Sequence, residues 1–113
     1  MDKFAERLAR LKIKHYRDLM IVLSTFDSER NGMRDFSLIL QLIVGFTDIT
    51  PVQLADGAQV SEGSLARWIT RTDSPQPIIR KTTVIWILGE LKQRAKTIED
   101  SLGQYLAPEV QAS

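Results

Sequence analysis

Residues 50–75 constrain the fold of this chain more than any other stretch, because they encode two helix starts close together. Thr50 is a favourable N-cap, Pro51 suits the first helical position, and Gln53 can complete a capping box. Ser61 is a second N-cap, ahead of another run with helical apolar spacing. The first helix must therefore end within about two turns, and the stretch predicts two short helices joined by a tight turn.

The apolar spacing also predicts which side chains of this helix pair are buried. Leu65, Trp68 and Ile69 follow the i, i+3, i+4 pattern and form one stripe on the second helix. Two small residues on the first helix would let the helices cross closely. The side chains predicted to be buried are Leu54, Ala55, Ala58, Val60, Leu65, Trp68 and Ile69. The residues left facing outward or toward the ends are Glu62, Gly63, Ser64, Ala66, Arg67 and Arg71.

Four positions match a known spacing pattern, in which a small residue is followed by a branched apolar residue, an aromatic or apolar residue and a proline. These positions hold Ala55, Leu65, Trp68 and Pro75. With them, residues 34–92 resemble the helix-turn-helix region of the Cro/cI-type (XRE-like) DNA-binding regulators. A helical hairpin with a purely structural role is the alternative explanation.

The chain departs from that family at two positions where glycine is common. Gln59 occupies the turn, with Gly57 two residues earlier, and Arg71 follows the second helix. At the start of the second helix, where relatives often contact bases, the chain has acidic Glu62 followed by Gly63. These departures concern the way in which DNA would be read more than they concern the fold.

The resemblance implies an all-α, lambda-repressor-like helix-turn-helix core with long additional helices at both ends. It also implies that the second helix, Ser61 to Arg71, lies in the major groove of DNA. Arg67 is the first candidate for base contact, because a guanidinium can bond to guanine O6 and N7 together, and a phosphate contact is the alternative. The residues expected to contact DNA are Gln53, Ser61, Glu62, Gly63, Ser64, Arg67, Arg71 and Thr72.

Several of these candidates also have a structural explanation. Gln53 could bond to phosphate or serve only as a capping residue, and Glu62 could accept from cytosine N4 or simply favour the helix dipole. Gly63 would let the backbone approach the groove closely. In relatives the loop after the second helix touches phosphates, which makes Arg71 and Thr72 candidates; an ordinary connecting loop is the alternative.

The rest of the chain predicts three more helical segments, and we expect a single domain overall. Residues 1–32 form an amino-terminal amphipathic helix for packing or dimerisation, either one long helix or two abutting ones. Residues 33–77 form the helix-turn-helix core, which begins with a densely apolar helix. Residues 78–113 form a long helix that covers the core, with Ile85, Trp86 and Ile87 at its start, and ends in a frayed tail. The apolar stripe of the first helix comprises Phe4, Leu8, Leu11, Tyr16, Leu19, Met20, Leu23 and Phe26.

Apolar residues in the last helix alternate in steps of four and three, which is typical of a coiled-coil seam. The seam needs a partner: the amino-terminal helix of the same chain, the matching helix of a second chain, or both in an intertwined dimer. We expect a homodimer, since helix-turn-helix regulators commonly bind two half-sites as two-fold dimers. The residues predicted to form the dimer contact are Val84, Leu88, Leu91, Ala95, Ile98 and Leu102.

The composition argues against several other functions. The chain has no cysteine and one histidine, His15, so we expect no metal site. It contains no nucleophile paired with a base and no phosphate-binding glycine loop, so we expect no catalytic residue, no cofactor and no enzymatic activity. The charged amino terminus and an apolar run interrupted by Gln41 predict a cytoplasmic protein without a signal peptide or membrane span.

The distribution of charge leaves two function classes open. The net charge of +1 is low for a nucleic-acid binder, but residues 67–96 hold seven Lys/Arg and two Asp/Glu. The first hypothesis is a small dimeric transcriptional regulator that reads a palindromic operator in double-stranded DNA. The alternative is a helical interaction module, an adaptor or anti-regulator, that uses the same scaffold to bind another regulatory protein. RNA binding is a third possibility.

Overall fold

The structure is a computed structural model that describes the backbone of residues 2–112 and the side chains of residues 2–103. Within residues 2–112 all regular secondary structure is helical, with five helices and no strand, which confirms the predicted all-α class. The helices are α1 (Lys3–Ser24), α2 (Met33–Phe46), α3 (Pro51–Ala58), α4 (Glu62–Ile69) and α5 (Pro77–Ala112). None of the helices in this described part combines the length and the apolar composition that a bilayer span requires.

The chain divides into two compact units. Unit 1 comprises Met1–Ser24 and Leu88–Ser113, and unit 2 comprises Thr25–Ile87. Unit 2 therefore contains α2, α3, α4 and the first residues of α5, while unit 1 contains α1 and the rest of α5. The frayed tail expected from the sequence concerns residues whose side chains lie outside the described part.

The starts of α3 and α4 lie where their capping residues predict them. Thr50 Oγ1 accepts a hydrogen bond from the Gln53 backbone N–H at 3.2 Å. Gln53 Oε1 in turn accepts one from the Thr50 N–H at 3.0 Å, which completes the predicted capping box. Ser61 Oγ accepts from the Ser64 N–H at 3.0 Å at the start of α4. Each such cap stabilises its helix by about 1 kcal/mol.

The core of unit 2 is formed by side chains from α2, α3, α4 and the start of α5. The expected burial of Leu54, Ala55, Leu65 and Trp68 is confirmed. Ala58, Val60 and Ile69 are only half-buried, because they lie at helix ends or in the turn, where neighbours cover one side. The largest buried apolar side chains of this core are Phe36, Leu40, Ile43, Ile49, Leu54, Leu65, Trp68 and Ile87.

The first residues of α5 cover this core as expected, with one exception. Ile87 is fully buried, and the Trp86 ring lies directly on α3, where a Cβ built on Gly57 would come within 2.2 Å of Trp86 Cε2. Glycine is therefore required at position 57 for steric reasons. Ile85 is exposed instead, because successive helical residues point about 100° apart and Ile85 faces away from the core.

In unit 1, α1 is one continuous helix, and only part of its predicted stripe is buried. Tyr16, Leu19 and Leu23 are buried together with Ile13, which the predicted stripe omitted. In the first half of the helix the three large apolar side chains of the stripe are exposed in the single chain: Phe4, Leu8 and Leu11. Arg17 of α1 forms an ion pair with Glu99 of α5, which links the two helical segments of this unit.

The seam of α5 is largely buried within the single chain. Leu91, Ala95 and Leu102 are buried in unit 1 and Val84 is buried in unit 2, while Leu88 and Ile98 are half-buried. The dimerisation role assigned to these six residues remains a prediction. A second chain could contact the four buried residues only by taking the place of neighbours that cover them in the single chain.

Candidate nucleic-acid interface

Helix α4 is held in place by the side chains of its inner face. Leu65 and Trp68 are buried, and α4 contacts both α2 and α3. The Trp68 ring lies 5.8 Å from the ring of Phe36 on α2, tilted by 59°, which is a favourable edge-on aromatic arrangement. Because the inner face is anchored on two helices, the outward direction of every other α4 side chain is determined.

The carbonyl end of α4 is held by α2 through contacts that the sequence analysis missed. Ser37 Oγ donates to the Ile69 carbonyl at 2.7 Å, and Gln41 Nε2 donates to the same oxygen at 3.1 Å. Ser37 is fully buried. A signal was present, since Ser37 and Gln41 are polar residues one helical turn apart in an otherwise apolar helix.

Each helix of the α3–α4 pair is followed by a residue in the left-handed region. Gln59 has φ 59° and Arg71 has φ 62°, and among the described residues they are the only non-glycine residues with positive φ. Each follows a helix in a Schellman arrangement: Val60 N–H donates to Ala55 C=O at 2.9 Å, and Thr72 N–H donates to Arg67 C=O at 2.9 Å. Positions 59 and 71 are those where the Cro/cI-type pattern favours glycine.

Three of the predicted DNA-contacting residues form one line of hydrogen bonds along α4. The Ser61 and Ser64 hydroxyl oxygens lie 3.1 Å apart, and Arg67 Nη2 donates to Ser64 Oγ at 3.0 Å. Arg67 is exposed, and within the described residues neither Arg67 nor Arg71 has a carboxylate partner. The guanidinium of Arg67 is thus aligned toward the amino-terminal end of α4 without being neutralised.

The centre of the outward face of α4 has small side chains, with the longer Glu62 and Arg67 at its edges. The exposed residues of this face are Glu62, Gly63, Ala66, Arg67 and Thr70. A Cβ built on Gly63 would meet only Arg67 Nη1 at 3.7 Å and Ser61 Oγ at 3.8 Å, and its φ is not positive. The fold does not need glycine at position 63, and this residue leaves space for a close approach by another molecule.

The other candidates lie beside this face with local partners. Gln53 is exposed, and its Oε1 is occupied by the capping box. The hydroxyl of exposed Thr72 lies 2.9 Å from that of Thr70, just after α4. The structure thus places Ser61, Glu62, Gly63, Ser64, Arg67, Arg71 and Thr72 along one short helix and its ends, with Gln53 at the start of the preceding helix.

Positive charge is scarcer around α4 than the sequence run suggested. Arg80 is buried, and its guanidinium donates to the carbonyls of Pro75 at 2.6 Å and Ser28 at 2.9 Å, so it links two loops. Unit 2 as a whole contains six Lys/Arg and seven Asp/Glu, a net charge of −1. Arg67 on α4 and Arg71 directly after it are both exposed.

Groups of acidic, histidine or cysteine residues that could hold a metal ion do not occur in the described part of the chain. No protein-family model, no curated protein and no solved structure matches this chain.

Proposed function

We propose that this chain is a DNA-binding transcriptional regulator whose α2–α4 segment is a lambda-repressor-like helix-turn-helix core of the Cro/cI type. The observation that carries the proposal is the left-handed conformation at Gln59 and Arg71. The family pattern favours glycine at these two positions, and glycine is the residue that adopts this conformation without cost. The backbone thus agrees with the pattern at the two places where the side chains depart from it.

The exposed face of α4 is suited to the major groove of B-DNA. The groove is about 12 Å wide and admits a single α-helix. Gly63 and Ala66 have small side chains, so the backbone of α4 can come close to the bases. Arg67 is assigned to a guanine, with Ser64 holding the guanidinium in position. Arg71, Thr72 and Gln53 are assigned to phosphates, and Ser61, Glu62 and Gly63 to the edge nearest the bases. Phosphate contacts set the register, whereas base contacts provide specificity.

A homodimer on a palindromic operator completes the proposal. Two copies of α4 about 34 Å apart on one side of a dimer would meet successive major grooves. Since Leu91, Ala95 and Leu102 are buried in the single chain, a dimer through this seam requires intertwined helices. Sedimentation of the free protein and of its DNA complex measures this stoichiometry, and one chain per selected duplex contradicts the dimer.

The test is in vitro selection from random duplexes, followed by fluorescence anisotropy on the enriched duplex across a salt series. We expect Arg67→Ala to weaken binding to the selected duplex about 10- to 100-fold, because one bidentate base contact contributes roughly 1–3 kcal/mol. Binding to unrelated duplexes should change much less. The matched control is Arg30→Ala, another exposed arginine of unit 2. Failure to enrich any duplex refutes the function, and equal losses in both variants refute the base contact.

A second function has one observation in its favour, the net charge of −1 on unit 2 together with Glu62 at the start of α4. On that hypothesis α4 binds another regulatory protein instead of a polyanion. The salt series distinguishes the two, because log K for DNA falls linearly with log salt by about 0.9 per neutralised phosphate. A protein partner without such counterion release gives a much shallower dependence.

A further inference from the structure

The first half of α1 exposes a second apolar surface, separate from the buried face of that helix. Phe4 is 71% exposed, Leu8 50% and Leu11 64%. Their i, i+4, i+7 spacing places them in one stripe about 12 Å long. The buried face of α1, centred on Ile13 and Tyr16, points in a different direction around the helix. We call Phe4, Leu8 and Leu11 the apolar patch.

Within the described residues of unit 1, the segment of α5 exposes no large apolar side chain. On α5, between Leu88 and Gly103, the exposed positions are Gly89, Lys92, Gln93, Lys96, Thr97, Asp100, Ser101 and Gly103. That face is fully compatible with water. Three large apolar side chains at consecutive helical steps therefore distinguish α1 from the described side chains of α5 in this unit, and such a patch is characteristic of an interaction site.

The apolar patch is bordered by cations on both sides. Helical periodicity of about 100° per residue places Arg7 and Lys14 along one edge and Lys12 along the other. Lys14 is paired with Asp18 at 2.8 Å, whereas within the described residues Arg7 and Lys12 have no carboxylate partner. An apolar centre with a charged rim is the arrangement found at protein–protein interfaces.

The positive rim disfavours a second copy of this chain as the occupant. In a pairing of two α1 helices through the patch, the rim cations Arg7, Lys12 and Lys14 of one chain would approach the rim cations of the other. Like charges that are brought together across an interface repel each other. The complement of this surface carries carboxylates.

The shape of the stripe favours a protein over a lipid surface. Along α1 the stripe continues through His15 and Asp18 before an apolar side chain returns at Val22. A carboxylate and an imidazole in mid-stripe interrupt the continuous apolar face that inserts into a bilayer interface. A folded partner can place polar groups opposite this break and apolar groups opposite the patch.

We propose that the apolar patch of α1 is the docking site for an acidic amphipathic helix of another protein, with leucine-type side chains on Phe4, Leu8 and Leu11 and carboxylates on Arg7 and Lys12. This interaction does not depend on DNA binding. It gives unit 1 a function of its own, the recruitment of an acidic partner.

The probe is a synthetic amphipathic peptide of about 18 residues, roughly five helical turns, with a leucine face flanked by glutamates. A control peptide has lysine in place of each glutamate. Binding of each labelled peptide to the full chain is measured by fluorescence anisotropy, with anionic phospholipid vesicles tested in parallel. The variants are Leu8→Ser and Arg7→Glu. Their controls are Val52→Ser, which removes another exposed apolar side chain, and Lys96→Glu on the polar face of α5.

We expect the glutamate peptide to bind at least about tenfold more tightly than the lysine peptide at low salt. Leu8→Ser should weaken it about tenfold or more, because burial of a leucine is lost, and Arg7→Glu should weaken it several-fold while both controls leave it unchanged. The proposal is overturned if the two peptides bind alike or neither binds. It is also overturned if vesicles bind the chain and Leu8→Ser abolishes that binding, or if Leu8→Ser instead dissociates a homodimer.

Discussion

The outer face of α4 and the apolar patch of α1 are both exposed helical surfaces of similar length, yet their chemistry is opposite. At its centre α4 has Gly63 and Ala66, beside the unneutralised Arg67. On α1, Phe4, Leu8 and Leu11 occupy the centre and the cations lie at the edges. On the proposed function, the partner of α4 gains little from apolar burial and supplies negative charge and hydrogen bonds. A partner of α1 gains mainly from apolar burial.

This difference implies different responses to salt. Contacts between α4 and a polyanion weaken steeply as salt rises, because counterions are released on binding. Binding to the apolar patch should keep its larger, apolar part at high salt and lose only the contribution of its rim. Exposure alone therefore does not predict which kind of partner each surface would bind. The size and charge of the central side chains are the basis of that prediction.

The largest expected effect is on the stability of unit 2, which carries the α4 face but not the apolar patch. Gly57→Val forces a side chain into the Trp86 ring, where even a Cβ would lie within 2.2 Å, and we expect it to lower the free energy of unfolding by about 3 kcal/mol. Urea denaturation measures this change. Gly45→Ala is the control, because a Cβ there meets nothing within 4 Å, and it should be neutral or stabilising. Equal stability of the two variants would contradict the contact between Trp86 and α3.

A smaller effect tests whether Gly63 serves a ligand. Gly63→Ala should raise stability by about 0.5–1 kcal/mol, because alanine favours a helix and the site has room for a methyl group. DNA binding should nevertheless weaken several-fold, since the methyl group holds the helix away from the bases. Binding of the glutamate peptide to α1 should not change. An alanine variant that is stabler and binds DNA as well as before shows that the groove does not approach this residue.

The smallest effects concern the left-handed residues that follow α3 and α4. Gln59→Gly and Arg71→Gly should each raise the free energy of unfolding by about 0.5–1 kcal/mol, because glycine avoids the left-handed cost while adding unfolded-state entropy. Thermal unfolding measures both changes.

Only the second substitution removes a charge. Arg71→Gly should therefore reduce the slope of log K against log salt by about 0.9, the contribution of one phosphate, whereas Gln59→Gly leaves the slope unchanged. An unchanged slope in both variants removes Arg71 from the DNA contact.

Local chemistry made part of this structure predictable. The starts of α3 and α4 follow from Thr50, Gln53 and Ser61, because a cap depends on residues within one turn of it. The burial of Leu65 and Trp68 follows from helical periodicity in the same way. The candidate residues of α4 lie together for an equally simple reason, since they occupy one eight-residue helix and its two ends.

Contacts between distant residues decided the rest. The bonds from Ser37 and Gln41 to the Ile69 carbonyl span 32 and 28 residues, and the steric need for Gly57 arises from Trp86 on another helix. Periodicity marks an apolar face but not which apolar face meets the core, so Phe4, Leu8 and Leu11 were predicted to pack and are exposed. The sequence by itself thus determined where α3 and α4 begin and which of their side chains are apolar. Which surfaces stay free for partners depended on the tertiary packing, because burial is a property of the neighbours that a side chain meets.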